Sequence, residues 1–115
     1  VNENAKSVLV WIPEHKSGEY IIPDGVEYIG EDAIRNLNLS KITFPSSVIS
    51  FNINSFRYCN QLVEITLKMP KLVDYRGTFF GTDISKITLR VPPGLKAEYE
   101  AHPKWGSGFK EIVEF

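Results

Sequence analysis

One stretch of this chain is written twice. Ile22-Pro23-x-x-Val26-x-x-Ile29-x-x-x-Ala33-Ile34 returns twenty-two residues later as Phe44-Pro45-x-x-Val48-x-x-Phe51-x-x-x-Ser55-Phe56. Self-similarity at a fixed period of this length means stacked supersecondary units. None of them can bury its apolar side alone, so the stack carries the core. A shorter element, Leu39-x-x-Ile42-x-Phe44, recurs as Leu62-x-x-Ile65-x-Leu67, and Ile42, Ile65 and Ile87 are spaced by 23 and then 22 residues. Around each of these isoleucines the polar and apolar residues alternate, as in Lys41-Ile42-Thr43-Phe44. Ile42 and Phe44 therefore share one face of a short strand and Lys41 and Thr43 the other. The fold this predicts is a solenoid of short parallel strands, one per turn of ~22–23 residues, with Ile42, Ile65 and Ile87 as neighbours in one sheet.

Proline marks where strands stop. Pro23 and Pro45 close two of them and Pro92 follows the fourth; a residue with fixed φ and no N–H for the ladder ends a strand and starts the turn. Val26, Ile29 and Ile34 in one turn, and Val48, Phe51 and Phe56 in the next, are expected inside as aligned columns. Cys59 stands where Leu37 stood one repeat earlier, and is read as a small buried hydrophobe. Tyr75 is expected to join Phe51 and Phe56 in the core. The third turn is irregular: Lys68-Met69-Pro70 displaces its proline from the strand end, and Gly77 and Gly81 flank Thr78-Phe79-Phe80.

After Val91-Pro92-Pro93-Gly94 the pattern becomes helical, with Leu95 and Tyr99 four apart, Ala97, Glu98 and Ala101 favouring a helix, and Pro103 ending it. Glu111 to Phe115 reads as a last strand. This helix-plus-strand segment is suited to cap the open end of a solenoid. At the other end, Ser7 to Ile12 reads as a strand and Glu14 to Gly18 as a turn. The expected organisation is a linker over 1–6 and a single domain over 7–115, made of an N-terminal strand and turn (7–18), repeats (19–91) and a cap (92–115).

Composition narrows the partners. Apolar residues make up 43% and charged residues 23% of the 115, the balance of a soluble globular chain. Thirteen basic against fourteen acidic residues, with no basic run, argue against a nucleic-acid partner. No apolar run approaches the ~18 residues needed to span a bilayer. The single cysteine excludes an internal disulfide framework. The chain opens on Val1, and the expectation is a processed or trimmed protein, so the lack of a leader does not argue for the cytoplasm.

No catalytic set assembles along the sequence. His15 and His102 are far apart and lack zinc-site spacing, so neither a metal nor any other cofactor is expected. No nucleophile-elbow glycines flank a serine, Gly106-Ser107-Gly108 reads as a turn, and Glu31-Asp32 as a solvated turn. Asn38-Leu39-Ser40 satisfies the glycosylation sequon without further support. The informative positions are on the outward strand face, where one column is expected to hold Glu19, Lys41, Glu64 and Lys86 and the next Ile21, Thr43, Thr66 and Thr88. Lys41, Thr43, Glu64, Thr66, Lys86 and Thr88 are accordingly the candidate ligand-binding residues. Trp11, Tyr28, Tyr58 and Tyr75 fall near positions the core columns do not require. Of these, Tyr28 and Tyr58 form the alternative contact set, since aromatics on a rigid scaffold are common contact residues.

The repeat Leu39 to Cys59, with the ending Val91-Pro92-Pro93-Gly94 through Tyr99 to Trp105, resembles the BspA-type leucine-rich-repeat family of bacterial surface proteins. The resemblance runs from about Val8 to Phe115. Ser55 stands where the family has alanine, and Ile34 and Leu37 where it has phenylalanine and cysteine. It implies a leucine-rich-repeat solenoid, usually secreted or on the cell surface, with members associated with adhesion to host or bacterial surface molecules. The expected function is thus a noncatalytic module binding a protein or glycan. The alternatives are a structural spacer that caps a longer repeat array and, more remotely, a hydrolase.

Overall fold

Strands of period two, each broken by a proline or a turn, coil into a three-sided solenoid. A computed structural model describes residues 8–9, 17–35, 38–53, 55–77 and 79–115. After β1 (Val8–Leu9), the first coil carries β2 (Ser17–Ile21), β3 (Tyr28–Ile29) and β4 (Ile34–Arg35). The second carries β5 (Asn38–Phe44), β6 (Ser50–Phe51) and β7 (Phe56–Arg57). The third has β8 (Glu64–Leu67) and β9 (Phe79–Phe80), with no strand over 68–76. A 3₁₀ turn, Ile84–Lys86, leads into β10 (Thr88–Val91), followed by α1 (Lys96–Ala101) and β11 (Glu111–Glu114).

All pairings are parallel and stack coil on coil. The main sheet has the order β11-β10-β8-β5-β2, and the two smaller ones are β1-β3-β6 and β4-β7-β9. The C-terminal segment therefore covers the end by adding a rung: β11 pairs with β10, and α1 occupies the side where earlier coils have short strands. Glu114 ties the two parts together, accepting from the backbone N–H of Gly94 at 2.8 Å and of Lys96 at 3.3 Å. The N-terminal reading needs correction. Ser17 and Gly18 belong to β2 rather than to a turn; Val8–Leu9, within the expected strand, pairs with β3. The proposed linker 1–6, Trp11, His15 and Leu37 lie outside the described residues.

The interior is the expected one. Ile29, Ile34, Val48, Phe51, Phe56 and Cys59 are buried, and Val26 is partly so. Ile29 faces Phe51 across one small sheet, and Ile34, Phe56 and Phe79 stack along the other. Ser55 is fully buried yet satisfied, its hydroxyl within 2.7 Å of the Asn52 carbonyl and 3.3 Å of the Ile29 carbonyl one coil away. Tyr75 is a core residue at 1% exposure, which removes it from the exposed aromatics.

One register differs. Ile42 pairs with Ile65 as expected, but Ile65 pairs with Leu89, not Ile87. Ile21 pairs with Thr43, Thr43 with Thr66 and Thr66 with Arg90, steps of 22, 23 and then 24 residues. The 3₁₀ turn takes up the extra length: the Ile87 N–H bonds back to the Ile84 carbonyl, and the strand starts only at Thr88. Ile87, Leu89 and Val91 are all fully buried. A slip of two keeps every side chain on its own face, so the burial pattern alone does not distinguish the two registers.

Candidate interaction surface

With the register corrected, the outward face of the five-stranded sheet has two columns. The first runs Glu19, Lys41, Glu64, Thr88, Glu111, and the second Ile21, Thr43, Thr66, Arg90, Val113. Thr88 thus belongs beside Glu64, in the column expected to hold Lys86. Lys86 stands in the 3₁₀ turn, off the sheet, with its ammonium 4.0 Å from Asp83. Arg90 is the residue that sequence spacing missed, because counting 22 residues on from Thr66 ends at Thr88. The break at Asp83-Ile84-Ser85 was the available signal: Asp83 caps the turn by accepting from the Ser85 N–H at 3.1 Å, a local motif that competes with strand.

The charges are arranged for mutual neutralisation. Lys41 lies between Glu19 and Glu64 in the ladder, and an Arg90 guanidinium nitrogen is 3.8 Å from Glu64. Thr88 donates to Glu111 at 3.3 Å. Such partly exposed pairs contribute up to ~1 kcal/mol each. Thr43 and Thr66 are not the exposed hydroxyls that alternation suggested, being 9% and 7% accessible. Each is a short side chain on an inner strand, hemmed along its column by ladder neighbours on both sides and along its own strand by Lys41 or Glu64. The threonines therefore form a low floor beside the charged column. The ends of the face are more apolar: Ile21 is 64% exposed at one edge, and Phe115 near the other lies with its ring centroid 6.0 Å from the Arg90 guanidinium carbon.

The alternative aromatic set divides. Tyr28 is half-buried in β3, whereas Tyr58 is exposed at a turn with φ 55°. The Arg57 guanidinium sits 5.6 Å from the Tyr58 ring centre and 3.4 Å from Asp32, and Asp32 raises the guanidinium pKa. A Cβ on Gly81 would strike the Tyr58 ring at 2.3 Å, so the glycine lets that ring lie against the next coil. Tyr58 is thus in contact with Arg57 and lies close against Gly81, while 45% of it stays exposed.

The remaining chemistry-bearing side chains hold structure. Burial pushes the Cys59 thiol up to about 11, and its sulfur lies 3.4 Å from the Ile34 carbonyl. His102 Nδ1 accepts from the backbone N–H groups of Lys104 and Trp105, both at 3.1 Å, while Nε2 faces Asp74 at 2.5 Å. That geometry makes Nε2–H the donor and His102 a clamp between the third coil and the cap. His102 and then Arg76 hold the Asp74 carboxyl below the usual carboxylate range. Among the described residues no three His, Cys, Asp or Glu side chains cluster to hold a metal ion, and no helix is long and apolar enough to cross a membrane.

Residues 15–94 match the family described as BspA type leucine rich repeat region, in six copies. The chain belongs to that family. The match spans the coils that build the main sheet from β2 to β10, so over those strands the two columns are features of a leucine-rich-repeat ladder, the kind of scaffold used for interaction. No curated protein and no solved structure matches this leucine-rich-repeat protein.

Proposed function

We propose that the protein is a noncatalytic interaction module, secreted or on the cell surface, that contacts a protein or glycan through the outward face of its main sheet. The observation that carries this reading is the ladder itself. Lys41, Glu64, Thr88 and Arg90 stand on three hydrogen-bonded parallel strands, spaced ~4.8 Å apart, above the Thr43 and Thr66 floor. The ladder fixes the backbone positions of these groups before binding, which leaves only their side chains to be ordered. Its near-neutral charge favours recognition by hydrogen bonds over long-range steering. Family membership supports the interaction role, and the family's association with bacterial surfaces supports the location. Adhesion to a surface molecule is the form of binding that joins the two.

The test is a binding screen of the folded protein against matrix proteins, mucins and glycans, followed by substitution on the hit. Lys41→Ala with Arg90→Ala is expected to weaken binding about tenfold or more while the melting temperature stays nearly unchanged, since both side chains lie outside the core. Unaltered affinity in that variant, with loss on Tyr58→Ala instead, moves the site to the turns. Turnover of a substrate, abolished by one substitution, contradicts the noncatalytic reading.

A further inference from the structure

The third coil leaves a rung out, and the gap has a shape. In the sheet β1-β3-β6 the next strand would fall within residues 68–76, but that segment is not a strand. It follows the ladder as far as Lys68, whose N–H bonds to the Phe44 carbonyl at 3.0 Å. Pro70, with no N–H to offer a ladder, comes two residues later. Between the residues leading into β6 and this departing segment lies a groove of about 310 Å³, near the lower end of the range for small-molecule sites. None of its lining residues belongs to the five-stranded sheet, so it is separate from the strand face. Val48 and Met69, both 1% exposed, form its base, and Leu72 and the 56%-exposed Ile49 form apolar sides.

The far wall is held in place from behind. Trp105 donates its indole N–H to the Val73 carbonyl at 2.7 Å, and His102 holds Asp74. These two contacts fix the Val73–Asp74 wall of the groove. Its electrostatics are lopsided. The Asp74 carboxylate is already engaged by His102 and by Arg76 at 2.8 Å, whereas Lys71, which lines the groove, and Lys68 nearby in the same segment form no ion pair among the described residues. An apolar cleft with an unneutralised ammonium complements an apolar body carrying one negative charge.

We propose that this groove binds a medium-chain carboxylate, with its alkyl chain on Val48, Ile49, Met69 and Leu72 and its carboxylate at Lys71. The experiment is a ¹H–¹⁵N titration of the whole chain with octanoate, with 1-octanol as the uncharged control. Expected are saturable shifts confined to the Ile49 and 71–73 amides, with Kd on the order of 1 mM, and weaker binding of 1-octanol. Lys71→Gln, a surface change, is expected to weaken octanoate about three- to fivefold without altering the spectrum elsewhere, and Ile49→Glu to abolish binding. The proposal is overturned if no saturable shifts occur or if shifts instead gather at Ile21 and Phe115. Equal affinity for 1-octanol, or no change in Lys71→Gln, also overturns it, as does binding of an acidic apolar peptide in this groove where octanoate fails.

Discussion

The first two coils and the third solve the same problem by different means. Coils one and two repeat, so their apolar side chains stack in columns: Ile29 on Phe51 and Ile34 on Phe56. Even their polar joints are coil-to-coil, as where Ser47 accepts from the Gly25 N–H at 3.0 Å and donates to the Val26 carbonyl at 2.9 Å. The third coil loses one strand and is fastened to the cap by individual contacts: Trp105 to Val73, His102 to Asp74, and an aromatic cluster in which Tyr75 meets Phe51, Phe56, Phe79 and Trp105 at centroid distances of 5.1–5.9 Å. Repetition builds a regular ladder face on one side, and its failure opens a groove on another.

Phe56 belongs to both regimes. It stacks in a repeat column and meets Phe44, Phe79 and Tyr75 at 5.0–6.0 Å. Phe56→Ala is expected to cost ~3–5 kcal/mol in denaturant unfolding, and an unchanged midpoint would remove it from the core. Next is the buried column at Cys59. The folded thiol is pushed up to about 11 from 9.0. Its contribution is therefore complete below pH 9 and lost as pH rises through the folded value, about 2 kcal/mol by pH 10.5. Urea unfolding at pH 8 and pH 10.5 should show this extra alkaline loss in the native chain relative to Cys59→Ala. Native labelling of the thiol should be slow at pH 8 and fast in denaturant.

Smaller effects belong to the fastenings of the third coil. Trp105→Phe keeps a ring in the cluster but leaves the Val73 carbonyl without its donor. About 1–2 kcal/mol of lost stability is expected, with faster amide exchange over 71–76 than in coils one and two. Equal exchange across all coils would deny that the indole bond secures this segment. The smallest effect is at Asp74. Its depressed pKa stabilises the fold above the ordinary carboxylate range, and that contribution fades as pH falls through the folded value. The carboxylate is half exposed, so Asp74→Asn is expected to move the acid unfolding midpoint only slightly.

Most of the fold was legible because repetition writes each fact twice. Val26 to Phe56 could be assigned to the interior from two aligned copies, and the proline-ended strands from three isoleucines. What escaped was wherever the copies disagree. The two-residue insertion at Ile84–Lys86 preserves the face of Ile87, Leu89 and Val91, so hydrophobic pattern alone could not detect it, and with it went Arg90's place and Lys86's exclusion. The burial of Thr43 and Thr66 was hidden for another reason: alternation assigns a face but not the height of the neighbouring side chains. The groove at Met69 to Asp74 was visible only as an irregularity, because a missing strand leaves no pattern of its own.

The register of the main sheet places every residue of the candidate face. Scalar coupling across backbone hydrogen bonds, measured by NMR, reads that register directly. In the structure the Thr88 amide donates to the Val63 carbonyl at 2.9 Å, and the Lys86 amide to the Asp83 carbonyl at 3.3 Å. A coupling from the Thr88 nitrogen to the Val63 carbonyl carbon is the predicted result. A coupling from Lys86 to Val63 in its place would restore the uninterrupted repeat, return Lys86 to the charged column and contradict the placement of Thr88 and Arg90 on the strand face.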